Sequence, residues 1–272
     1  MMRAAAIQMN SGADVSANLA LADRLLEEAA QDGCRLAVLP ENFALMPERG
    51  KDKADYAEQP GEGPIQDFLA ETARRNRLWI VAGSMPLVSP EIADRRVYGA
   101  CPVYGDDGKA RALYRKIHLF DVDLVDKQES YRESNSMYPG DDIVAVDSPC
   151  GRIGLSICYD LRFPEMFRQL VDAGAMVFTV PAAFTATTGE AHWHTLLRAR
   201  AIENLAYVIA PGQYGSHPDN RSTFGHSLIC DPWGRILAER ATGNCVVAAD
   251  IDPALPVRLR GEFPALDNRR LK

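Results

Sequence analysis

The chain is predicted to fold as an α/β protein in which helices alternate with strands and antiparallel hairpins are mixed in. Three observations predict this. Short apolar runs are separated by segments whose apolar residues recur at steps of three and four. A Gly-Asp-Asp-Gly turn joins two strand-like runs in the middle of the chain. The 272 residues are 47% hydrophobic and 25% charged, ordinary for a soluble protein with a substantial core. No linker rich in Gly, Ser or Pro, no low-complexity tract and no clear repeat interrupts the pattern, so one domain over 1–272 is expected.

The elements follow in order. Residues 3–9 (RAAAIQM) read as a buried strand. Val15, Leu19, Ala22, Leu25, Leu26 and Ala29 mark an amphipathic helix that Gly33 ends. RLAVL (35–39) is a second strand, and Ile65, Phe68, Leu69 and Ala73 mark a second helix. LWIVAGSM (78–85) is read as one strand. Residues 96–104 and 110–116 flank the hairpin turn. A buried strand over 153–158 precedes a helix over 163–173, a strand over 176–180, a helix over 190–205 and a strand over 206–212. Late strands are expected near 225–230, 235–240 and 245–251, with Pro-Trp-Gly turning between the first two. Helices covering one face of mixed sheets fit this order.

The net charge of −7 argues against bulk nucleic-acid binding, which needs a concentrated basic surface. No stretch approaches the ~18 apolar residues that span a bilayer. The apolar run at the N-terminus is too brief for a signal peptide. A cytoplasmic protein without nucleic-acid or membrane partners is the expectation. Cys34, Cys101, Cys150, Cys158, Cys230 and Cys245 form no C-x-x-C pair and are expected as free thiols.

Three apolar strands each deliver a reactive side chain at or just past the C-terminal end: RLAVLP leads to Glu41, ALYR to Lys116, IGLSI to Cys158. In α/β sheets, ligands collect beyond such ends, so the three can converge in one pocket. Cys158 is the natural nucleophile. It precedes what reads as a turn into a helix, whose dipole favours a thiolate. A lysine ammonium ~4 Å away is worth up to ~4 kcal/mol at an effective dielectric of 20, enough to ionise the thiol. Glu41, partly desolvated, is the candidate general base. Lys116 supplies charge to the thiol and to an oxyanion. Taken singly, each also reads blandly: a core cysteine, a loop glutamate, a solvated lysine. His118 is a competing base, though a lone histidine is more often structural.

Taken together, LAVLPENF, YRKIHLFDVD and GLSICYDLRFPE resemble the Glu, Lys and Cys motifs of the nitrilase, or carbon–nitrogen hydrolase, superfamily, in the usual order and across almost the whole chain. The resemblance implies a four-layer α-β-β-α subunit that pairs through helices into a homodimer. It implies a thioester acyl-enzyme on Cys158, proton transfer by Glu41, and an oxyanion hole from Lys116 and the backbone N–H of Tyr159. It implies no metal and no organic cofactor. A second glutamate is expected between the Lys and Cys motifs; Glu133 stands at the matching position, with Glu129 as a nearby alternative.

RESNSMYPG, TGEAHWHTLLRARAIEN, GQYGSH and FGHSLICDPWG look closest to Nit-type amidases. The implied substrate is a small acidic 2-oxo amide: deaminated glutathione, or the 2-oxo analogues of glutamine and asparagine taken by omega-amidases. N-carbamoyl amides are a further alternative. An anionic substrate calls for a pocket cation, for which Arg162 is the candidate. Phe184 and Trp193 are candidate pocket walls. The chain departs from its relatives at Glu190 and His194, both expected near the pocket wall, and ends soon after Asn268-Arg269-Arg270. His192 and His194, two apart on a helix, point to different faces and are not expected to share a metal.

Overall fold

The computed structural model describes residues 1–88, 94–124, 129–218 and 221–271; the side chains of Leu124 and Glu129 lie outside that description. The strands of the first half are β1 Met2–Gln8, β2 Cys34–Val38, β3 Trp79–Val81, β4 Met85–Leu87, β5 Tyr98–Tyr104, β6 Ala110–Arg115, β7 Asp121–Leu124 and β8 Glu129–Arg132. Those of the second half are β9 Ala145–Ser148, β10 Gly151–Leu155, β11 Val177–Thr179, β12 Tyr207–Ala210, β13 Tyr214–Ser216, β14 Ser222–Phe224, β15 Ser227–Cys230, β16 Ile236–Arg240 and β17 Cys245–Ile251. The helices are α1 Val15–Gln31, α2 Pro64–Asn76, α3 Pro164–Asp172, α4 Ala186–Asn204 and α5 Ala254–Glu262.

Two sheets form. The first runs β17-β1-β2-β3-β5-β4, with β6 also paired to β5; the second runs β16-β15-β12-β11-β10-β9. Each has three parallel strands linked by helices, β1-α1-β2-α2-β3 in one and β10-α3-β11-α4-β12 in the other, flanked by antiparallel strands. The architecture is thus duplicated although the sequence shows no repeat, because many sequences satisfy one apolar pattern.

The pleat explains the layers. Successive side chains of a strand face opposite ways. In β1, Ala5 and Ile7 pack with Leu25 and Leu26 of α1 and Leu69 of α2. Ala4 and Ala6 join the core shared with Ile153, Leu155 and Ile209 of the second sheet, which reaches Phe167 of α3 and Leu197 of α4. Helices, sheet, sheet, helices: this is the four-layer α-β-β-α arrangement. With both faces of each sheet covered, the central strands are apolar throughout, which is why they read as runs and not as alternations. Among the described residues, no helix is long and apolar enough to cross a membrane.

The expected elements are present with four differences. The strand read over 78–85 is two strands, broken at 82–84. Gly83 lies at φ +63°, and a Cβ there would stand 2.0 Å from the Pro40 carbonyl oxygen, so the chain bends around the loop that carries Glu41. Helix α4 starts at Ala186, earlier than its apolar pattern suggests, because the Thr185 hydroxyl caps it by accepting from Thr188 N–H at 3.3 Å. The strand read over 153–158 ends at Leu155, leaving Cys158 in a turn. The hairpins β7–β8 and β13–β14, strand β9 and helix α5 were not anticipated.

Candidate active site

The loops that leave β2, β6 and β10, with the turn after β8, meet over one edge of the two sheets. Glu41 is the third residue after β2. Its loop is pinned by Gln213, whose amide donates to the Glu41 carbonyl at 3.1 Å and to the Ser11 hydroxyl at 2.8 Å. Lys116 directly follows β6 and donates its backbone N–H to Gly99 O at 2.9 Å. Cys158 follows β10 by three residues and opens a five-residue 3-10 helix, Cys158–Arg162. Its φ of +49° is a strained conformation for a residue with a Cβ, held by a bond from its N–H to Pro181 O at 2.9 Å. Glu133 begins the turn after β8, and its carboxylate accepts the Phe120 N–H at 2.7 Å.

These side chains converge. Lys116 Nζ lies 2.8 Å from Glu41 Oε1 and 2.9 and 2.8 Å from the two Glu133 oxygens. The second Glu41 oxygen accepts the Ala183 N–H at 2.8 Å, from the segment that follows β11. Glu41, Lys116 and Cys158 are all buried, and all line a cavity of about 200 Å³ together with Glu133 and Tyr159.

The charges decide the resting protonation state. Burial pushes the Glu41 carboxyl up, but the Lys116 ammonium, its hydrogen bond and the neighbouring Cys158 thiol outweigh it and hold the group below the usual carboxylate range. Burial also opposes the Lys116 ammonium, yet Glu133 and then Glu41 reverse this and raise it well above the ordinary lysine value. Burial and the Glu41 carboxylate push the Cys158 thiol well above its ordinary range, against the opposing pull of Lys116. This corrects the expectation that Lys116 ionises the sulfur. Burial is the larger influence and the adjacent Glu41 carboxylate adds to it, so the Lys116 ammonium does not prevail at the sulfur, and the 3-10 helix behind it is too short to supply much dipole. The resting pair is a neutral thiol beside a carboxylate able to take its proton.

Asp160, which the sequence did not single out, ties two of the loops together. It is fully buried and accepts from the Tyr114 hydroxyl at 2.7 Å, Ile157 N–H at 2.8 Å and His118 N–H at 3.0 Å. The His118 ring also meets it, Nδ1 to Oδ1 at 2.7 Å, and stacks on Phe163 with centroids 3.6 Å apart. His118 therefore holds the lysine loop against the cysteine loop and does not line the cavity.

Of the candidate substrate contacts, Phe184 lines the cavity and the other two do not. Trp193 is buried behind the wall, its ring 5.1 Å from Phe184 and its indole N–H donating to His226 O at 2.9 Å. Arg162 is carried away by the turn of the short helix. Its guanidinium sits over the Phe184 ring at 5.2 Å and within 3.4 Å of His192 Nδ1, outside the cavity. Glu190 is exposed and His194 pairs with Glu239 at 2.8 Å; neither lines the cavity. His194 is grouped not with His192 but with His226 and Glu239, one nitrogen or oxygen atom of each lying within 4.8 Å of the others. Among the described residues, the cations that line the cavity besides Lys116 are Lys53, Arg132 and Arg221. Lys53 sits in a charged run, KDKADY, that reads as a solvated surface, and only its burial reveals it.

A model of the family described as carbon-nitrogen hydrolase matches residues 3–260. The chain is 39% identical over 266 residues to a deaminated glutathione amidase of Yersinia enterocolitica, covering 98% of this chain and 92% of the relative. It is 36% identical over 269 residues to the human omega-amidase NIT2, covering 98% and 95%. Among solved structures, Nit3 of Saccharomyces cerevisiae, a member of branch 10 of the nitrilase superfamily, superposes with a TM-score of 0.87 at 30% identity, covering 99% of this chain and 97% of that one. With its Glu, Lys and Cys motifs meeting in one cavity and its relatives matched end to end, the chain belongs to the carbon–nitrogen hydrolase family.

Proposed function

We propose that this enzyme hydrolyses the amide bond of a small 2-oxo acid amide, with deaminated glutathione as its first substrate, through a thioester on Cys158. The observation that carries the reading is the Lys116 ammonium held between Glu41 and Glu133 on the floor of a cavity that also exposes Cys158 and Tyr159.

The substrate carbonyl enters with its carbon over the sulfur. Sγ attacks as its proton passes to the Glu41 carboxylate, so the nucleophile is generated in the step and not stored. The carbonyl oxygen becomes an oxyanion, held by Lys116 Nζ and by the Tyr159 N–H, which lies in the first turn of a helix where N–H groups have no intrahelical acceptor. Glu41 returns the proton to the departing amine, the C–N bond breaks, and the acyl group stays on sulfur. Water then loses a proton to Glu41 and attacks the thioester; the acid leaves and the thiol is restored. Glu133 keeps Lys116 aimed throughout.

The relatives named deaminated glutathione amidase and omega-amidase support the substrate class. Deaminated glutathione yields 2-oxoglutarate and cysteinylglycine; 2-oxoglutaramate yields 2-oxoglutarate and ammonia. Both leave the same acyl group on the sulfur and differ only in the amine. A panel of deaminated glutathione, 2-oxoglutaramate, 2-oxosuccinamate, N-carbamoyl amino acids and simple nitriles, assayed for acid and amine release, tests the assignment. Deaminated glutathione should give the highest kcat/KM; a nitrile or N-carbamoyl substrate in first place rejects it. Cys158→Ala should retain the fold and lose all turnover. The same reading carries a homodimer, supported by the exposed apolar cluster of Ile202, Trp233 and Phe263, which sedimentation velocity tests. A cytoplasmic setting suits six free cysteines.

A further inference from the structure

Among the described residues four cations line the cavity, and their surroundings differ. Lys116 is bound by two carboxylates. Arg132 is half exposed and paired with Asp123 at 2.6 Å. Arg221 stands over the Tyr131 ring at 5.6 Å. Lys53 is buried, only 7% exposed, and its one hydrogen-bond partner among the described residues is the Asn42 side-chain oxygen at 2.9 Å. An amide oxygen accepts a hydrogen bond but carries no net charge. A buried ammonium without a bonded counter-ion is costly. Burial pushes this one down to about 8, the Glu133 and Glu41 carboxylates pulling the other way and Arg221 and Lys116 adding to the fall.

The position of Lys53 is tied to the chemistry. Its partner Asn42 is the residue after Glu41 and adopts φ +58°, a left-handed conformation that asparagine tolerates better than most. The Asn42 N–H is fixed by the Ser84 hydroxyl at 2.9 Å. One short segment therefore aims the base at the sulfur and holds at the cavity wall a cation with no carboxylate bonded to it among the described residues.

We propose that Lys53 is the anchor for the carboxylate of the substrate's acyl half, so that it selects anionic 2-oxo amides over neutral ones whatever the leaving amine. This rests on the amidase reading above and deepens it. The carboxylate supplies the counter-charge that Asn42 lacks, and the ion pair forms at a buried ammonium, where truncating one partner costs most. Because deaminated glutathione and 2-oxoglutaramate leave one and the same acyl group, the anchor serves both; discrimination between them falls to the side of the cavity that receives the amine.

The test compares 2-oxoglutaramate with 4-oxopentanamide, which has a similar chain and no carboxylate, in wild type, Lys53→Met and Lys53→Arg. Lys53→Met should lower kcat/KM for 2-oxoglutaramate by about 30-fold or more, mainly through KM, and leave 4-oxopentanamide within about 3-fold. Lys53→Arg should recover part of the loss. In wild type, kcat/KM for the anionic amide alone should fall as pH rises past about 8, where the free enzyme loses the Lys53 proton. Equal losses on both amides, or no loss on either, overturn the anchor. If Lys53→Met does not fold, the wild-type pH profiles decide: a limb shared by both amides, or absent from both, rejects the proposal. A wild type that turns over 2-oxoglutaramate while Lys53→Met is unimpaired removes the anchor alone. A wild type active only on neutral amides removes the anchor and the substrate class together.

Discussion

Lys116 and Lys53 line the same cavity, are about equally buried, and are shifted in opposite directions. Lys116, gripped by Glu41 and Glu133, is raised well above the ordinary lysine value; Lys53, hydrogen-bonded among the described residues to Asn42 alone, falls to about 8. Burial lowers both, so the difference comes from the bonded carboxylates. The comparison separates two ways of using a buried cation. One is already neutralised and rigid, suited to meeting a charge that exists only in the transition state. The other is left wanting an anion, suited to meeting a charge the substrate carries throughout.

The largest effect should follow from breaking the first arrangement. Lys116→Met removes the proposed oxyanion donor and deprives Glu41 and Glu133 of the ammonium they share. We expect kcat to fall by about 10³-fold on anionic and neutral amides alike, and the thiol to become harder to ionise. Alkylation of Cys158 by iodoacetamide, followed against pH, should move to higher pH than in wild type. Identical profiles would mean that Lys116 does not act on the sulfur.

Glu133→Gln tests whether Lys116 must be held by charge or merely by a hydrogen bond. The amide oxygen can still accept the Phe120 N–H, so the turn should persist. The ammonium is then shared with Glu41 alone and is drawn toward the base. Misplacement of that order costs on the order of 10²-fold, expected in kcat with KM little changed. Wild-type activity in a folded variant would reduce Glu133 to a structural residue.

How much of this was legible in the sequence follows from how local each signal is. Glu41, Lys116 and Cys158 each stand beside an apolar strand, so their convergence at strand ends could be argued from pattern alone. Glu133 came only from the family resemblance. That Arg162 lies outside the cavity lining is not legible, because a five-residue helix decides which way its side chain leaves, and that depends on Phe184 and His192, far away in sequence. Asp160 went unnoticed because its four contacts come from Tyr114, Ile157 and His118, so its role exists only after two loops have met. The break at Gly83 depends on Pro40 in the same way. Strands β7 and β8, reading DVDL and ESYR, carry too little apolar signal to register, and α5 has a proline and no apolar stripe.

The smallest effect is one of stability, and it distinguishes the lysines by sign. Lys116 has a raised folded value, so it stabilises the fold below the unfolded lysine range and that contribution is lost only as pH rises through its folded value. Lys53 is depressed from 10.5 to about 8. Below pH 8 it is protonated in both states, and the folded state bears the cost of the buried charge, roughly 3 kcal/mol for such a shift. Between about 8 and 10.5 the unfolded chain binds more protons than the folded one, so stability contributed at this site rises with pH and the penalty disappears. Lys53→Met deletes the penalty and the bond to Asn42, the latter worth about 1 kcal/mol. The variant should therefore be more stable than wild type by about 2 kcal/mol at pH 7, with the advantage gone by pH 10.5. Urea denaturation of both proteins at the two pH values, read as a difference so that all other titrations cancel, measures it. A gap that does not change with pH, or a variant less stable at neutral pH, would show that Glu41 and Glu133 already compensate Lys53 and that the contrast between the two lysines is one of bonding and not of charge.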